Sequence, residues 1–88
     1  MEILLNTLNP LFEECNWYIS KSSHDNNKIC YKSSNPYDEF IIEMITKSNE
    51  FITIVPIDNI PYKKTFINMN TLIDYMKMHL MYYENAKK

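Results

Sequence analysis

The chain reads as an α+β domain: an N-terminal helix, a three- to four-stranded antiparallel meander and a C-terminal helix, with both helices packed on one face of a single-layer sheet. Three features predict it. Apolar residues recur at helical spacing near both ends, the period shortens to two through the middle, and the stretches between alternating runs are built of asparagine, aspartate, serine, lysine and proline. Residues 1–88 are expected to form one domain, near the size at which stability is often shared with a partner.

Taken in order, Leu4, Leu8, Leu11 and Cys15 lie one helical turn apart with Phe12 beside them, which predicts an amphipathic helix over residues 3–15. Pro10 fits if Asn6 or Thr7 caps the helix, or if Asn9 is the cap and the proline opens the first turn. After Asn16 the strand-like runs WYISK, KICYKS, EFIIEMIT and FITIVPI are separated by SSHDNN, NPYD and KSNE. Glycine is absent, so tight turns must use asparagine, aspartate and proline, the residues found there. DNIPYKKTFI reads as a loop with room for a short extra strand, and the last helix starts with Asn68 or Asn70 as cap and runs to about Glu84.

Closing the hairpins at NPYD and KSNE sets Tyr31 opposite Ile42, Ile29 opposite Met44, Ile42 opposite Val55 and Met44 opposite Thr53. One face then collects Ile29, Tyr31, Phe40, Ile42, Met44, Val55 and Ile57 as the core side. The other collects Lys28, Cys30 and Lys32 with Ile41, Glu43, Ile45, Ile52, Ile54 and Pro56. Four isoleucines, Ile41, Ile45, Ile52 and Ile54, thus gather on the side that ought to meet water. Pro56 has no N–H for a ladder, which predicts that the fourth strand is an edge or ends nearby.

On the C-terminal helix the apolar arc runs from Tyr82 through Tyr75, His79, Leu72, Tyr83 and Met76 to Leu80 and Ile73, about half the circumference. Met76, Leu80 and Ile73 belong to the core stripe. Met78 and Met81 lie beyond it among polar residues, and Tyr75, Met78 and Tyr82 form a rim suited to another chain, since aromatics and methionine are enriched at interfaces.

Little in the chain points to catalysis. Without glycine, phosphate-cradling loops and nucleophile elbows are improbable. Cys15, His24, Cys30 and His79 are the metal-ligand types, but their spacing matches no zinc pattern, and Cys30 falls on the sheet face away from the helices. SSHDNN lacks the alternating ligands and closing glutamate of a calcium loop. No cofactor, metal site or catalytic group is expected.

All nine basic residues are lysines, eleven carboxylates leave a net charge of −2, and this balance does not favour phosphate binding. The alternative reading is an RNA- or DNA-binding accessory domain using Trp17, Lys21, Lys28, Lys32, Lys63 and Lys64. Glu43, placed across the hairpin from Lys28 and Lys32, favours a neutralised strand face instead. The order helix, three strands, helix resembles in topology alone the double-stranded-RNA-binding domains and the small subunits of the signal recognition particle Alu domain. Their glycine-lysine-lysine helix start and their arginines are missing, and no family is assigned.

MEILLNTLNP has an acidic second residue and no basic start, and no apolar run reaches membrane-spanning length, so a cytoplasmic protein without membrane contact is expected, its two cysteines reduced. The excess of isoleucine, asparagine, lysine and tyrosine suggests an AT-rich genome, such as that of a virus or a protist. These readings converge on a non-enzymatic protein-interaction module, an adaptor, regulator or chaperone-like protein, acting as a homodimer. Its protein-binding residues would be Ile41, Ile45, Ile52 and Ile54 together with Tyr75, Met78 and Tyr82.

Overall fold

The computed structural model describes residues 2–20, 27–33, 38–58 and 60–86. Helix α1 (Glu2–Glu14) leads into a five-stranded antiparallel sheet, β1 (Tyr18–Ile19), β2 (Lys28–Lys32), β3 (Glu39–Ile45), β4 (Glu50–Ile57) and β5 (Ile60–Phe66), and the chain ends in α2 (Met69–Ala86). Strand order follows chain order, a pure meander, and no helix among the described residues is long and apolar enough to cross a membrane. The α+β architecture is the one the sequence predicts, with the loop after Ile57 supplying a full fifth strand.

Helix α1 is held by Leu4, Leu8 and Phe12, all buried. Pro10 sits inside it rather than in its first turn, a departure from the capped start expected from the sequence. Losing the proline's N–H bond and clashing with the preceding turn costs about 3 kcal/mol. The cost is borne because Pro10 and Asn6 face solvent, where water satisfies the freed Asn6 carbonyl, while apolar anchors hold the helix on either side.

The helix stops at Asn16, whose φ of 66° puts it in the left-handed region that glycine usually fills. Asn16 N–H donates to the Glu13 carbonyl at 3.0 Å and Trp17 N–H to the Phe12 carbonyl at 2.9 Å, the two bonds of a Schellman cap. The apolar contact that accompanies such caps is present too, Trp17 lying edge-on to Phe12 with ring centroids 5.7 Å apart. Asn49 (φ 55°) and Asp58 (φ 51°) serve the β3–β4 and β4–β5 turns in the same way, so asparagine and aspartate fill the roles of the missing glycines.

Register follows from the turns. Tyr31 pairs with Phe40 and Ile29 with Ile42, and Ile42 pairs with Thr53 and Met44 with Phe51. Each rung differs by two residues from the one expected, because the β2–β3 connection takes in residues 33–38 and the β3–β4 turn residues 46–49. A shift of two keeps every side chain on its face. The inner face therefore buries Ile29, Tyr31, Phe40, Ile42 and Val55 as expected, and adds Phe51 and Thr53. Ile57 departs from the expected core set: it lies on the same face but is exposed.

Of the two readings of Pro56, the edge strand does not hold, since β4 lies between β3 and β5, and the nearby strand end does, since β4 stops at Ile57. Pro56 sits beyond the last β3–β4 rung, at Ile54, and directly opposite Pro61, so both missing donors fall in one rung next to the turn. Asn68 caps α2 with its side-chain oxygen, accepting from Asn70 N–H at 2.8 Å and Thr71 N–H at 3.2 Å. Its Leu72, Ile73, Met76 and Leu80 are buried with Leu4, Leu8 and Phe12 of α1 in one core cluster on the inner face.

Candidate protein-binding surfaces

Because both helices cover the inner face, the rungs of the sheet define what the other face presents. One outer row runs Lys28, Glu43, Ile52, Thr65 and the next runs Cys30, Ile41, Ile54, Lys63. Ile41, Ile45, Ile52 and Ile54 are therefore brought together on this face, all half-buried. Glu43 stands exposed among them, flanked along β3 by Ile41 and Ile45 and facing Ile52 across the ladder.

Cys30 lies on this face and is nonetheless buried. Its thiol donates to Glu39 Oε1 at 3.6 Å. Burial foremost, and then the Glu39 carboxylate, push the thiol above its ordinary pKa. That combination makes an inert structural cysteine rather than a nucleophile. Cys15 is half-buried and lines an open cleft of about 400 Å³ between the helices, with Leu11, Leu80 and Met81 below and Glu14 and Lys77 at the rim.

The second candidate surface is the margin of α2 facing β5. Tyr75 packs its ring against Phe66, centroids 4.8 Å apart, and against His79 at 4.3 Å. Lys64 Nζ stands 5.1 Å from the centroid of the Tyr75 ring and 5.3 Å from that of Phe66. Although the Tyr75 ring is half-buried, its hydroxyl oxygen is shielded and has no hydrogen-bond partner among the described residues. Burial, and secondarily Tyr62, raise the Tyr75 pKa. Burial, and then Lys64, lower that of His79. Met78 and Tyr82 are exposed one and two turns further on, so the expected rim is two exposed residues and one packed one.

The residues of the nucleic-acid alternative do not come together. Trp17 is buried, its ring edge-on to Phe40 and Tyr83 and its indole N–H donating to Glu84 Oε1 at 2.8 Å, so it offers no platform for a base. Lys28 faces Glu43 and Lys32 faces Glu39 across the β2–β3 ladder, each lysine having its own carboxylate. Lys63 and Lys64 are exposed on opposite faces of β5. Lys21 and His24 lie outside the described residues, and no group of three or more metal-ligand side chains is found among the described ones.

Polar side chains that pattern reading passed over tie the C-terminal turn of α2 to the sheet. Asp38, almost fully buried, accepts from Ser33 Oγ at 2.8 Å and from the Tyr83 hydroxyl. The Tyr31 hydroxyl donates to Asn9 Oδ1 at 2.5 Å, and the Tyr31 ring stacks on Phe12 at 4.0 Å. A tyrosine within an apolar helix arc carries no sign of its hydroxyl's partner, and Asp38 reads as a turn residue. No family model matches the chain, nor does any curated protein or solved structure.

Proposed function

We propose that the protein is a non-enzymatic protein-interaction module that associates with a second copy of itself through the outer face of the sheet. The observation that carries the reading is the one-sided placement of the helices, which leaves four half-buried isoleucines on a face that no described element covers. Strands β2–β5 span roughly 450 Å² in projection, and side-chain relief brings the accessible area toward the ~800 Å² per partner of an ordinary stable interface.

Charge supports the same occupant. Glu43 and Lys63 lie two strands and two residues apart on this face, and the midpoint between them falls between Ile52 and Ile54. A two-fold axis in the plane of the interface, through that midpoint and perpendicular to the line joining the pair, sets each Glu43 over the partner's Lys63. It also packs the isoleucines of the two copies together. Glu43, which already faces Lys28 of its own chain, thereby gains a second cation on the side that the interface would close.

Light scattering on the pure chain at micromolar concentration tests the reading, with a dimer expected and a monomer expected for Ile41→Asp and Ile52→Asp. A wild-type chain that is strictly monomeric, with both variants equally stable, removes this face from consideration.

A further inference from the structure

The β5 edge and the α2 margin that Tyr75 packs against it form a second surface, a groove that shares only Lys63 with the dimer reading. β5 is the edge of the sheet, is paired with β4 at all seven of its positions with no bulge, and is exposed from Ile60 through Thr65. Its free side carries main-chain groups that no described strand covers, a template for one more strand. On the inner face of the same strand, Ile60 and Tyr62 are 67% and 53% exposed, although that face elsewhere holds the core. On α2, one and two turns beyond Tyr75, Met78 and Tyr82 are 58% and 76% exposed. The floor of the groove is the Lys64, Phe66 and Tyr75 contact, under the shielded hydroxyl of Tyr75.

Charge identifies the occupant. β5 carries Lys63 and Lys64 and no carboxylate, and the helix margin facing it, Tyr75, Met78, His79 and Tyr82, carries none either. Asp74 lies one turn before Met78, at the outer border of that margin and away from Tyr75 and His79, and Asp58 belongs to the turn before the strand. A chain of net charge −2 thus keeps carboxylates off β5 and off the Tyr75, His79 and Tyr82 side of the helix, with a lysine on each face of the strand. A second copy does not suit it. Full-length antiparallel pairing of β5 with itself centres on Lys63 and sets that lysine against its symmetry mate, and like charges directly opposite are destabilising.

We propose that the groove between β5 and α2 binds an acidic, extended peptide by strand addition. Main-chain bonds run along β5, carboxylates face Lys63 and Lys64, and an apolar side chain lies over Tyr62 and Tyr82. The proposal deepens the protein-binding reading at the α2 margin and does not depend on the dimer.

Selection of random eight-residue peptides displayed on phage against the full chain, with Lys63→Glu/Lys64→Glu as the counter-target, tests it. The expected result is a proline-free consensus with carboxylates at alternate or adjacent positions. The corresponding synthetic peptide should lose at least tenfold in affinity on the charge-reversed chain, on Tyr82→Ala, and when alternate amides are N-methylated, with thermal melts confirming that both variants fold. A basic or charge-free consensus, no enrichment over the counter-target, or indifference to N-methylation overturns it. So does tighter binding of single-stranded RNA or duplex DNA than of the selected peptide at physiological salt. Because Lys63 also faces Glu43 in the proposed dimer, the control is Lys64→Glu alone: Lys64 lies on the inner face, and an unchanged dimer in that variant with weakened peptide binding, by light scattering and titration, separates failure here from failure of the outer-face interface.

Discussion

Truncating Met76 and truncating Tyr82, six residues apart on one helix, should have very different consequences. Met76 is fully buried among the core residues. Met76→Ala removes three heavy atoms from a packed site, at about 2–5 kcal/mol. For 88 residues, whole-domain stability is on the order of 4–13 kcal/mol, so the change removes a large fraction of it. At about 4–8 °C per kcal/mol for a domain of this size, a mid-range loss of ~3 kcal/mol lowers Tm by roughly 12–24 °C. Tyr82 is 76% exposed, and Tyr82→Ala should stay within about 1 kcal/mol. Tyr75→Ala should fall between them, at about 1–2 kcal/mol, because its ring packs on Phe66 and His79. Thermal and urea melts by circular dichroism read all three. Tyr82→Ala as damaging as Met76→Ala, or Met76→Ala costing under about 1 kcal/mol, refutes the division of α2 into a core stripe and a free margin.

Three further outcomes follow from single side chains. Tyr83→Phe takes a donor from the buried Asp38 carboxylate and should cost about 1–3 kcal/mol by urea melt; a neutral result places that bond outside the folded state. His79 is held below its ordinary pKa by burial and then by Lys64. The unfolded chain therefore binds the extra proton first, and stability, full above about pH 6.5, declines as pH falls below that value. Urea melts from pH 8 to 5 should show this slope diminished in His79→Gln, and an unchanged slope refutes the assignment. A thiol reagent at pH 8 should modify the half-buried Cys15 well before Cys30, whose thiol is buried and raised in pKa; mass spectrometry of the labelled peptides reads the order, and faster labelling of Cys30 contradicts its burial.

Much of the fold was legible because two periods, 3.6 and 2, sort residues onto faces independently of turn length. Ile29, Tyr31, Phe40, Ile42 and Val55 fell on the core side even though each expected rung was two residues off. Turn position was not legible: the β3–β4 turn keeps the four residues expected of KSNE but falls one residue earlier, at 46–49 with Asn49 last at positive φ, which moves every β3–β4 rung by two. Pro61 and the paired lysines hid β5, because a proline and two charges read as loop; its pairing depends on Pro56 standing opposite Pro61, a tertiary circumstance. Trp17 was misread as an accessible aromatic because nothing nearby in sequence announces Phe12, Phe40, Tyr83 and Glu84 as its neighbours. The candidate surfaces fared similarly: the isoleucine cluster follows from alternation alone, whereas the groove beside α2 needs the fifth strand.

A dilution series of amide NMR spectra, from about 1 mM to about 10 µM, tests self-association through the outer face most directly, because it locates an interface as well as detecting it. The account predicts concentration-dependent shifts at Ile41, Glu43, Ile45, Ile52, Ile54 and Lys63, absent in Glu43→Lys and restored when Glu43→Lys is mixed with Lys63→Glu. Spectra that do not change with concentration, or shifts confined to the helices, would contradict it.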